Sequence, residues 1–165
     1  MTIPEVHPND FKGALGSWAA GVTVVSTRLD GLVYGITVSS FSSLSVDPLL
    51  VLVSIQNSNA LAAMIPRSRV FAVSVLADDQ QAVSDAFSKS GREPGATLGA
   101  DVPTLDWHTG SPIVAGAIAH LDCRLETAVP GGDHTIMIGR VIGASFDAAR
   151  EPLLYFRRRY RALTE

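Results

Sequence analysis

Cysteine is almost absent from this chain of 165 residues, which contains Cys123 and no other. A single thiol excludes an internal disulfide and any metal site built from several thiolates. Histidine is scarce as well, and the four histidines stand apart without the spacing of metal ligands. We therefore expect no bound metal, and the cysteine content favours a reducing compartment, the cytoplasm.

The chain also has few charged residues and no long apolar run. Only 18% of the residues are charged, the formal net charge is −3, and no long basic run occurs. The electrostatic signature of a nucleic-acid-binding protein is thus missing. The longest apolar stretch, around residues 48–53, is far shorter than the roughly twenty residues that cross a bilayer. The opening MTIPEVHPND lacks the basic start and apolar core of a signal peptide. We expect neither a nucleic acid nor a membrane as a partner.

Several motifs of common enzyme classes are absent. No G-x-G-x-x-G follows a β-rich run and no G-x-x-x-x-G-K-[ST] occurs, so neither a Rossmann dinucleotide site nor a P-loop is predicted. The chain has no G-x-S-x-G elbow of an α/β-hydrolase and no H-E-x-x-H of a zinc protease. Hydrolase, kinase and metalloenzyme functions are therefore disfavoured.

Apolar residues, by contrast, make up 47% of the chain. They indicate one folded domain over residues 1–165 with a substantial core. Short β-rich runs follow one another directly along the sequence. The pair Asp30-Gly31 between two of them predicts a hairpin, and Gly131-Gly132 predicts a second tight turn. The continuous run LLVLVSI predicts a strand that is buried on both faces.

Two or three short helices are predicted beside the strands. The first is capped by Asn9 or Asp10, the second begins at a Ser58 cap and closes at Pro66, and the third covers DDQQAVSDAF. Residues 90–112 predict a long irregular connection, of the kind that often carries function. With about seven strands in total, we expect a mainly β protein, an antiparallel barrel or sandwich with peripheral helices.

Three polar stretches have a chemical character that core packing does not explain. Hydroxyl and main-chain N–H groups in TVSSFSS (residues 37–43) suit the edge of a polar ring or a phosphate, and SIQNSN (residues 54–59) precedes a helix start that suits an anion. In GGDHT (residues 131–135), Asp133 could orient His134. The residues alone leave three plainer interpretations open, namely turn-forming serines, a helix cap and a surface histidine.

Taken together and in this order, these stretches resemble the flavin reductase-like family of FMN-binding split barrels. The resemblance runs from about Phe11 to Leu163 and also includes FKGALGSWAAGVTVVST, VFAVSVLADDQ, the Phe87 position and PLLYFRRRYRAL. It implies a six-stranded antiparallel split barrel of Greek-key type with flanking helices. It further implies a homodimer that binds flavin in a groove near the subunit interface.

The resemblance also implies an activity, that of an NAD(P)H:flavin oxidoreductase. Hydride would pass from C4 of NADH or NADPH to N5 of FMN or FAD, and the reduced flavin would diffuse to a partner flavin-dependent monooxygenase. The implied flavin contacts are Ile36, Thr37, Val38, Ser39, Ser40, Ser54, Ile55, Gln56, Asn59, Ala60, Ala86 and Phe87.

At the nicotinamide end, the resemblance implies His134 as the candidate catalytic residue, together with Tyr155, Phe156, Arg157 and Arg158. His134 is expected to contact or cover the nicotinamide and not to transfer a proton. Many members of the family carry a glycine in the segment that is Arg157 to Arg159 here. These arginines suit either a 2′-phosphate or a solvated surface.

Two alternatives stay open at this point. One is a split-barrel flavoprotein that keeps its flavin tightly bound and acts as an oxidase or reductase on another substrate, as pyridoxamine-phosphate-oxidase-like enzymes do. The other is a non-catalytic module that binds flavin or haem. The GDH turn and the aromatic, basic C-terminal stretch argue against the module, because a carrier needs no site for a second cofactor.

Overall fold

The computed structural model describes residues 5–99 and 102–163, and within them the chain forms three helices and twelve strands. The helices are α1 (Pro8–Gly16), α2 (Ala60–Ser68) and α3 (Gln81–Ser88). The strands are β1 (Ala20–Gly21), β2 (Thr23–Leu29), β3 (Leu32–Val38), β4 (Ser42–Val46), β5 (Leu49–Gln56), β6 (Val70–Val75), β7 (Thr104–Asp106), β8 (Pro112–Val114), β9 (Ala119–Gly131), β10 (His134–Phe146), β11 (Leu154–Phe156) and β12 (Arg159–Arg161).

One large antiparallel sheet dominates the fold, with the strand order β3-β2-β6-β9-β10-β5-β4. A three-stranded sheet, β1-β11-β12, and the β7-β8 pair are separate from it. The mainly β prediction is confirmed. The count of six strands is not, because the large sheet has seven, and its edge strands β3 and β4 form no ladder with each other in the described part of the chain.

Tight turns set the register of the large sheet. Asp30 and Gly31 both have positive φ, 52° and 81°, as a two-residue hairpin turn between β2 and β3 requires. Gly132, with φ 67°, turns β9 into β10, and these two 13-residue strands form the longest ladder of the sheet. Both predicted hairpins are confirmed, although Gly131 ends β9 and the second turn therefore consists of Gly132 and Asp133. The second one brings His134 to the end of the sheet, next to Gln56 of β5.

Strand β5 differs from its prediction. Its residues alternate, so that Val51, Val53 and Ile55 are buried in the core while Leu50 and Leu52 are only half-buried. The prediction that both faces are buried was wrong for this chain alone, because β5 lies next to the edge strand β4 and the core covers one side of it. The alternation also turns Ser54 and Gln56 away from the core.

The helix boundaries also need correction. Helix α1 begins at Pro8 and is capped by His7, whose Nδ1 accepts a hydrogen bond from Asn9 N at 3.2 Å. Proline suits the first helical position because the N–H group that it lacks has no helical partner there. Asn59, not Ser58, caps α2, and Pro66 lies within that helix. No helix among residues 5–99 and 102–163 is long and apolar enough to cross a membrane.

Helix α1 is exposed on every side. None of its residues is buried, and the side chains of Phe11 and Leu15 are each 57% exposed. Trp18, just beyond the helix, is 77% exposed. These apolar residues lie at helical spacing and form a stripe that no described residue of the same chain covers.

Candidate functional site

A groove with a volume of about 720 Å3 opens where several elements of the large sheet end. Its walls are the end of β3 with the residues that follow it, the end of β5, the start of α2, the start of β10 and the segment after α3. Among the predicted site residues, those that line it are Ile36, Thr37, Val38, Ser39, Ser40, Ser54, Gln56, Asn59, Ala60, Phe87 and His134. Residues from all three polar stretches, the last of them more than seventy residues beyond the other two, thus meet at one place.

Two hydroxyl groups fix the TVSSF wall of the groove. Ser40 Oγ donates to Ser54 O at 2.8 Å and accepts from Ser54 N at 3.2 Å, so that this side chain takes the place of a strand partner for β5. Thr37 Oγ1 donates to Ser84 O at 2.7 Å, which ties the end of β3 to α3. Ser39 is exposed, and its hydroxyl makes no hydrogen bond to another described residue. Ser39 can therefore donate to a ligand without breaking a contact of the fold.

Asn57 joins the second and third polar stretches. Its main-chain N donates to Asp133 O at 2.9 Å, and its Nδ2 donates to Gly132 O at 3.3 Å. Thr135 Oγ1 donates to Asn57 Oδ1 at 2.8 Å. These bonds hold the β9–β10 turn against the start of α2. Sequence reasoning included Asn57 in a polar cluster but did not foresee that it connects the two stretches.

His134 stands at the rim of the groove with a carboxylate beside it. Its Nδ1 lies 2.7 Å from Asp133 Oδ1, and its side chain is 42% exposed. The hydrogen bond and the charge of His134 lower the pKa of Asp133 below its ordinary value. Asp133 therefore stays a carboxylate at neutral pH and orients the imidazole, as the sequence predicted that it could.

Arg92 is a groove residue that the sequence analysis missed. Its guanidinium lies 5.0 Å from the ring centre of Tyr34 and 5.2 Å from that of Phe87. Its Nη2 donates to Phe87 O at 3.1 Å and also to Gly35 O, while its Nε is buried with no hydrogen-bond partner in the described part of the chain. With Lys89 it forms a cationic section of the wall. The available signal was its place in the irregular segment 90–112.

Other predicted residues lie elsewhere. Ile55 is fully buried in the core, on the opposite face of β5 from its groove-lining neighbours, and Ala86 is half-buried on α3 outside the groove. A second hollow, of about 370 Å3, is lined by Tyr155 and Arg158 and shares Thr37, Val38 and Ser39 with the groove. Neither Phe156 nor Arg157 lines the groove or this second hollow. The residues predicted at the nicotinamide end are thus divided, with His134 on one side of the TVSSF segment and Tyr155 and Arg158 on the other.

The remaining reactive groups do not form a separate centre. No group of three or more His, Cys, Asp or Glu side chains that could hold a metal ion occurs among residues 5–99 and 102–163. Burial, with the nearby Asp122 carboxylate, raises the pKa of Cys123 to about 12. A thiol with that pKa is a poor nucleophile at neutral pH. Tyr160, in the second hollow, donates to Asp85 Oδ1 at 2.9 Å, and burial raises its pKa.

The fold and the groove define a mainly β protein with a groove that is lined by hydroxyl, amide and cationic side chains. Comparison with known proteins agrees with this. Residues 15–164 match the model of the flavin reductase like domain. The chain is 37% identical to the reductase subunit HsaB of a flavin-dependent monooxygenase from Rhodococcus jostii, over 96% of this chain and 79% of that protein. It is also 37% identical to an NADH-dependent flavin reductase from a Rhodococcus species, over 97% of this chain and 89% of that one.

A solved structure gives the same result. The NADH:FAD oxidoreductase SgcE6 of Streptomyces globisporus, in complex with NAD and FAD fragments, superposes with a TM-score of 0.88 at 32% identity, and the match covers 98% of each chain. The chain therefore belongs to the family of flavin reductase-like domains. The resemblance inferred from its motifs is confirmed.

Proposed function

We propose that the protein is an NAD(P)H:flavin oxidoreductase that supplies reduced FMN or FAD to a partner monooxygenase. The observation that carries the proposal is the convergence of the TVSSF, SIQNSN and GDHT stretches in one groove. Family membership supports the same reaction, and the relatives described above are named as flavin reductases or as the reductase subunit of a monooxygenase.

The residues of the groove fit a flavin. A volume of about 720 Å3 lies within the range of roughly 300–1,000 Å3 that is usual for small-molecule sites. The buried Nε of Arg92 lacks a partner in the described part of the chain, so an anionic or carbonyl group of a ligand would satisfy it. Lys89 and the capped start of α2 add further positive potential on the same groove.

Each wall then has a role in binding. Main-chain N–H groups of residues 38–40 and the hydroxyl of Ser39 would hold the polar edge of the flavin ring and favour the charge that develops there on reduction. Asn59, Ala60, Lys89 and Arg92 would hold the phosphate. Flavin, when bound, supplies the ring that accepts the hydride.

His134 would act from the rim. Oriented by Asp133 at 2.7 Å, its imidazole would contact or cover the nicotinamide and exclude water from the space above the flavin. It would transfer no proton, because the reduced ring exchanges protons with solvent. Tyr155 and Arg158 would contact the part of the nucleotide that extends beyond the TVSSF segment.

We also propose that residues 1–165 form one domain of the Greek-key split-barrel type and that two copies form a homodimer beside the flavin groove. Apolar side chains on the β4–β5 edge support the dimer. Val46 is 86% exposed, Leu49 is 54% exposed, and Leu50 and Leu52 are half-buried. A two-fold dimer is the commonest way for a soluble protein to bury such surface.

The test is steady-state oxidation of NADH and of NADPH by the purified protein, with and without added FMN or FAD. We expect nicotinamide oxidation that depends on added flavin, with flavin behaving as a dissociable substrate. Flavin that stays bound through turnover would favour the alternative flavoprotein, and no oxidation with any of the four cofactor combinations would refute the proposal. Sedimentation equilibrium at micromolar protein tests the dimer, which a folded and fully active monomer would contradict.

A further inference from the structure

Asn57 connects two parts of the chain that meet at the groove, although it does not line the groove itself. It lies between β5 and α2 and is exposed. Both of its side-chain hydrogen bonds and the one donated by its main-chain N–H group join it to residues 132–135. An effect of Asn57 on a ligand in the groove would therefore pass through those residues.

Asn57 is held in a short turn between two buried elements. The N–H group of Asn59 donates to Gln56 O at 2.9 Å and closes this turn. Asn59 also caps α2, since its Oδ1 accepts from Leu61 N at 3.0 Å. Ile55 on one side of the turn and Leu61 on the other are fully buried. The core therefore fixes the position of Asn57.

The β9–β10 turn has much less support of its own. Gly132 has φ 67° and follows Gly131, so two neighbouring residues have the conformational freedom of glycine. Residues 126–133 are all exposed, and no core packing restrains this end of the hairpin. Both carbonyl groups of the turn are bonded to Asn57 instead. Asn57 Nδ2 donates to Gly132 O at 3.3 Å, and Asn57 N donates to Asp133 O at 2.9 Å.

The conformation of this turn decides where the Asp133 carboxylate lies. Asp133 Oδ1 is 2.7 Å from His134 Nδ1. Adjacent side chains of an extended strand point to opposite faces, so these two meet because Asp133 belongs to the turn and His134 begins β10. Thr135 Oγ1, on the other side of His134 along the chain, donates to Asn57 Oδ1 at 2.8 Å. Asn57 thus bonds to the residues that precede and follow His134.

We propose that Asn57 is a positioning residue that fixes the Asp133–His134 pair at the rim of the groove, where the imidazole covers the nicotinamide. It acts through the β9–β10 turn and contacts neither cofactor. The inference rests on the proposed function, since it assumes that a reduced nicotinamide lies beside His134. It extends that function to a residue between β5 and α2 that the site itself does not include.

Kinetics of variants made in two backgrounds test this inference. N57A removes both side-chain hydrogen bonds, and T135V removes one of them while keeping the β-branched shape. Gln81 is an exposed amide residue at the start of α3 that lines none of the three hollows, the groove included, so Q81A is the matched control. Each variant is made in the wild type and in H134A, and thermal melting verifies that each is folded. Oxidation of NADH at saturating FMN gives kcat and KM, and fluorescence quenching gives the flavin affinity.

N57A should lower kcat/KM for NADH about threefold to tenfold and T135V about twofold to threefold, whereas Q81A should change it less than about twofold. Flavin affinity should change less than about twofold in all three. In the H134A background, N57A should change kcat/KM less than about twofold, because the side chain that it positions is gone. An N57A effect of equal size in both backgrounds, or an equal loss of flavin affinity, would overturn the inference.

A measurement without cofactors separates failure of this inference from failure of the proposed function. The hydrogen bond and the charge of His134 lower the pKa of Asp133, so an NMR titration of the carboxyl carbon of Asp133 reports whether the pair is in place. In N57A the pKa of Asp133 should rise toward its ordinary value, and in Q81A it should not change. An unchanged titration in N57A would overturn the inference. If the pKa rises in N57A but the wild type oxidises neither NADH nor NADPH, the proposed function is refuted and the role of Asn57 in holding the pair stands.

Discussion

Two regions of the molecule differ in how their polar groups are held. One is the inner wall of the groove, which we define as Ser39, Ser40 and Ser54 together with Asn57, and the other is the β11–β12 turn at Arg157 and Arg158, which lies beside α1. At the inner wall, Ser40 donates to Ser54 O and accepts from Ser54 N, and Asn57 takes part in three hydrogen bonds with the β9–β10 turn and the start of β10. At the turn, the β11–β12 ladder and a main-chain bond from Arg157 to Gly16 hold the backbone, while the side chains of Arg157 and Arg158 are exposed. The comparison indicates that the fold itself requires the residues of the inner wall. The side chains of the turn, by contrast, can be replaced with little effect on the fold.

The largest difference in stability between the two regions should appear when an aromatic side chain is replaced by alanine. Phe87 lines the groove and is only 2% exposed, because it packs in a second core cluster with Val22, Leu76 and Val114. Phe87→Ala should lower the free energy of unfolding by about 3–5 kcal/mol, measured by urea denaturation. Trp18→Ala, next to the turn, should change it by less than about 0.5 kcal/mol. A loss at Trp18 as large as that at Phe87 would show that another chain covers α1, and the comparison would fail.

A smaller difference in stability should separate the alanine variants of two neighbouring serines of the inner wall. Ser40→Ala removes an acceptor and a donor from the main chain of Ser54 and should cost about 1–3 kcal/mol of stability. Ser39→Ala, whose hydroxyl makes no bond to a described residue, should stay within about 0.5 kcal/mol. Thermal melting of both variants is the measurement. Equal losses would mean that the Ser40 bonds do not fix the wall.

At the rim, His134→Ala should reduce kcat/KM for the reduced nicotinamide. The expected loss of transition-state stabilisation is on the order of 1–3 kcal/mol, because one positioned polar contact is removed. Steady-state kinetics at saturating flavin give this value, and flavin affinity from fluorescence quenching should change much less. His108→Ala, an exposed histidine outside the groove, is the control. If His134→Ala had the kinetics of the wild type, His134 would be a surface residue without a role in the reaction.

The smallest effect is expected at the β11–β12 turn, where Arg157 and Arg158 have positive φ. Here the substitution should raise the stability of the protein and not lower it. Arg158→Gly relieves a side chain at φ 61° and should raise stability by about 1 kcal/mol. The same replacement at Arg161, in β12, should lower stability by roughly 0.5–1 kcal/mol, because glycine is unfavourable inside a strand. The melting temperatures of Arg158→Gly and Arg161→Gly test this prediction. Destabilisation by Arg158→Gly would show that the arginine side chain is part of the fold.

The sequence predicted those features that depend on neighbouring residues. Asp30-Gly31 and the glycine pair at residues 131–132 located both hairpins, and the polar stretches identified most of the groove because each one lies at the end or the beginning of a strand or helix. Features that depend on distant parts of the chain were not predictable. The guanidinium of Arg92 lies between Tyr34 and Phe87, which are far from each other in sequence. Likewise, only the sheet order shows that β5 lies beside an edge strand.

The burial of Cys123 has a practical consequence for studying motion in the groove. The sequence contains no other cysteine, and this thiol is fully buried with its pKa raised to about 12. A maleimide or nitroxide reagent at neutral pH should therefore leave the native protein unlabelled. A single cysteine introduced at exposed Ser88 or Arg161 would then carry a fluorophore or spin label in an otherwise unaltered background. With both positions labelled in one protein, the distance between the two labels could follow the groove while nucleotide is added.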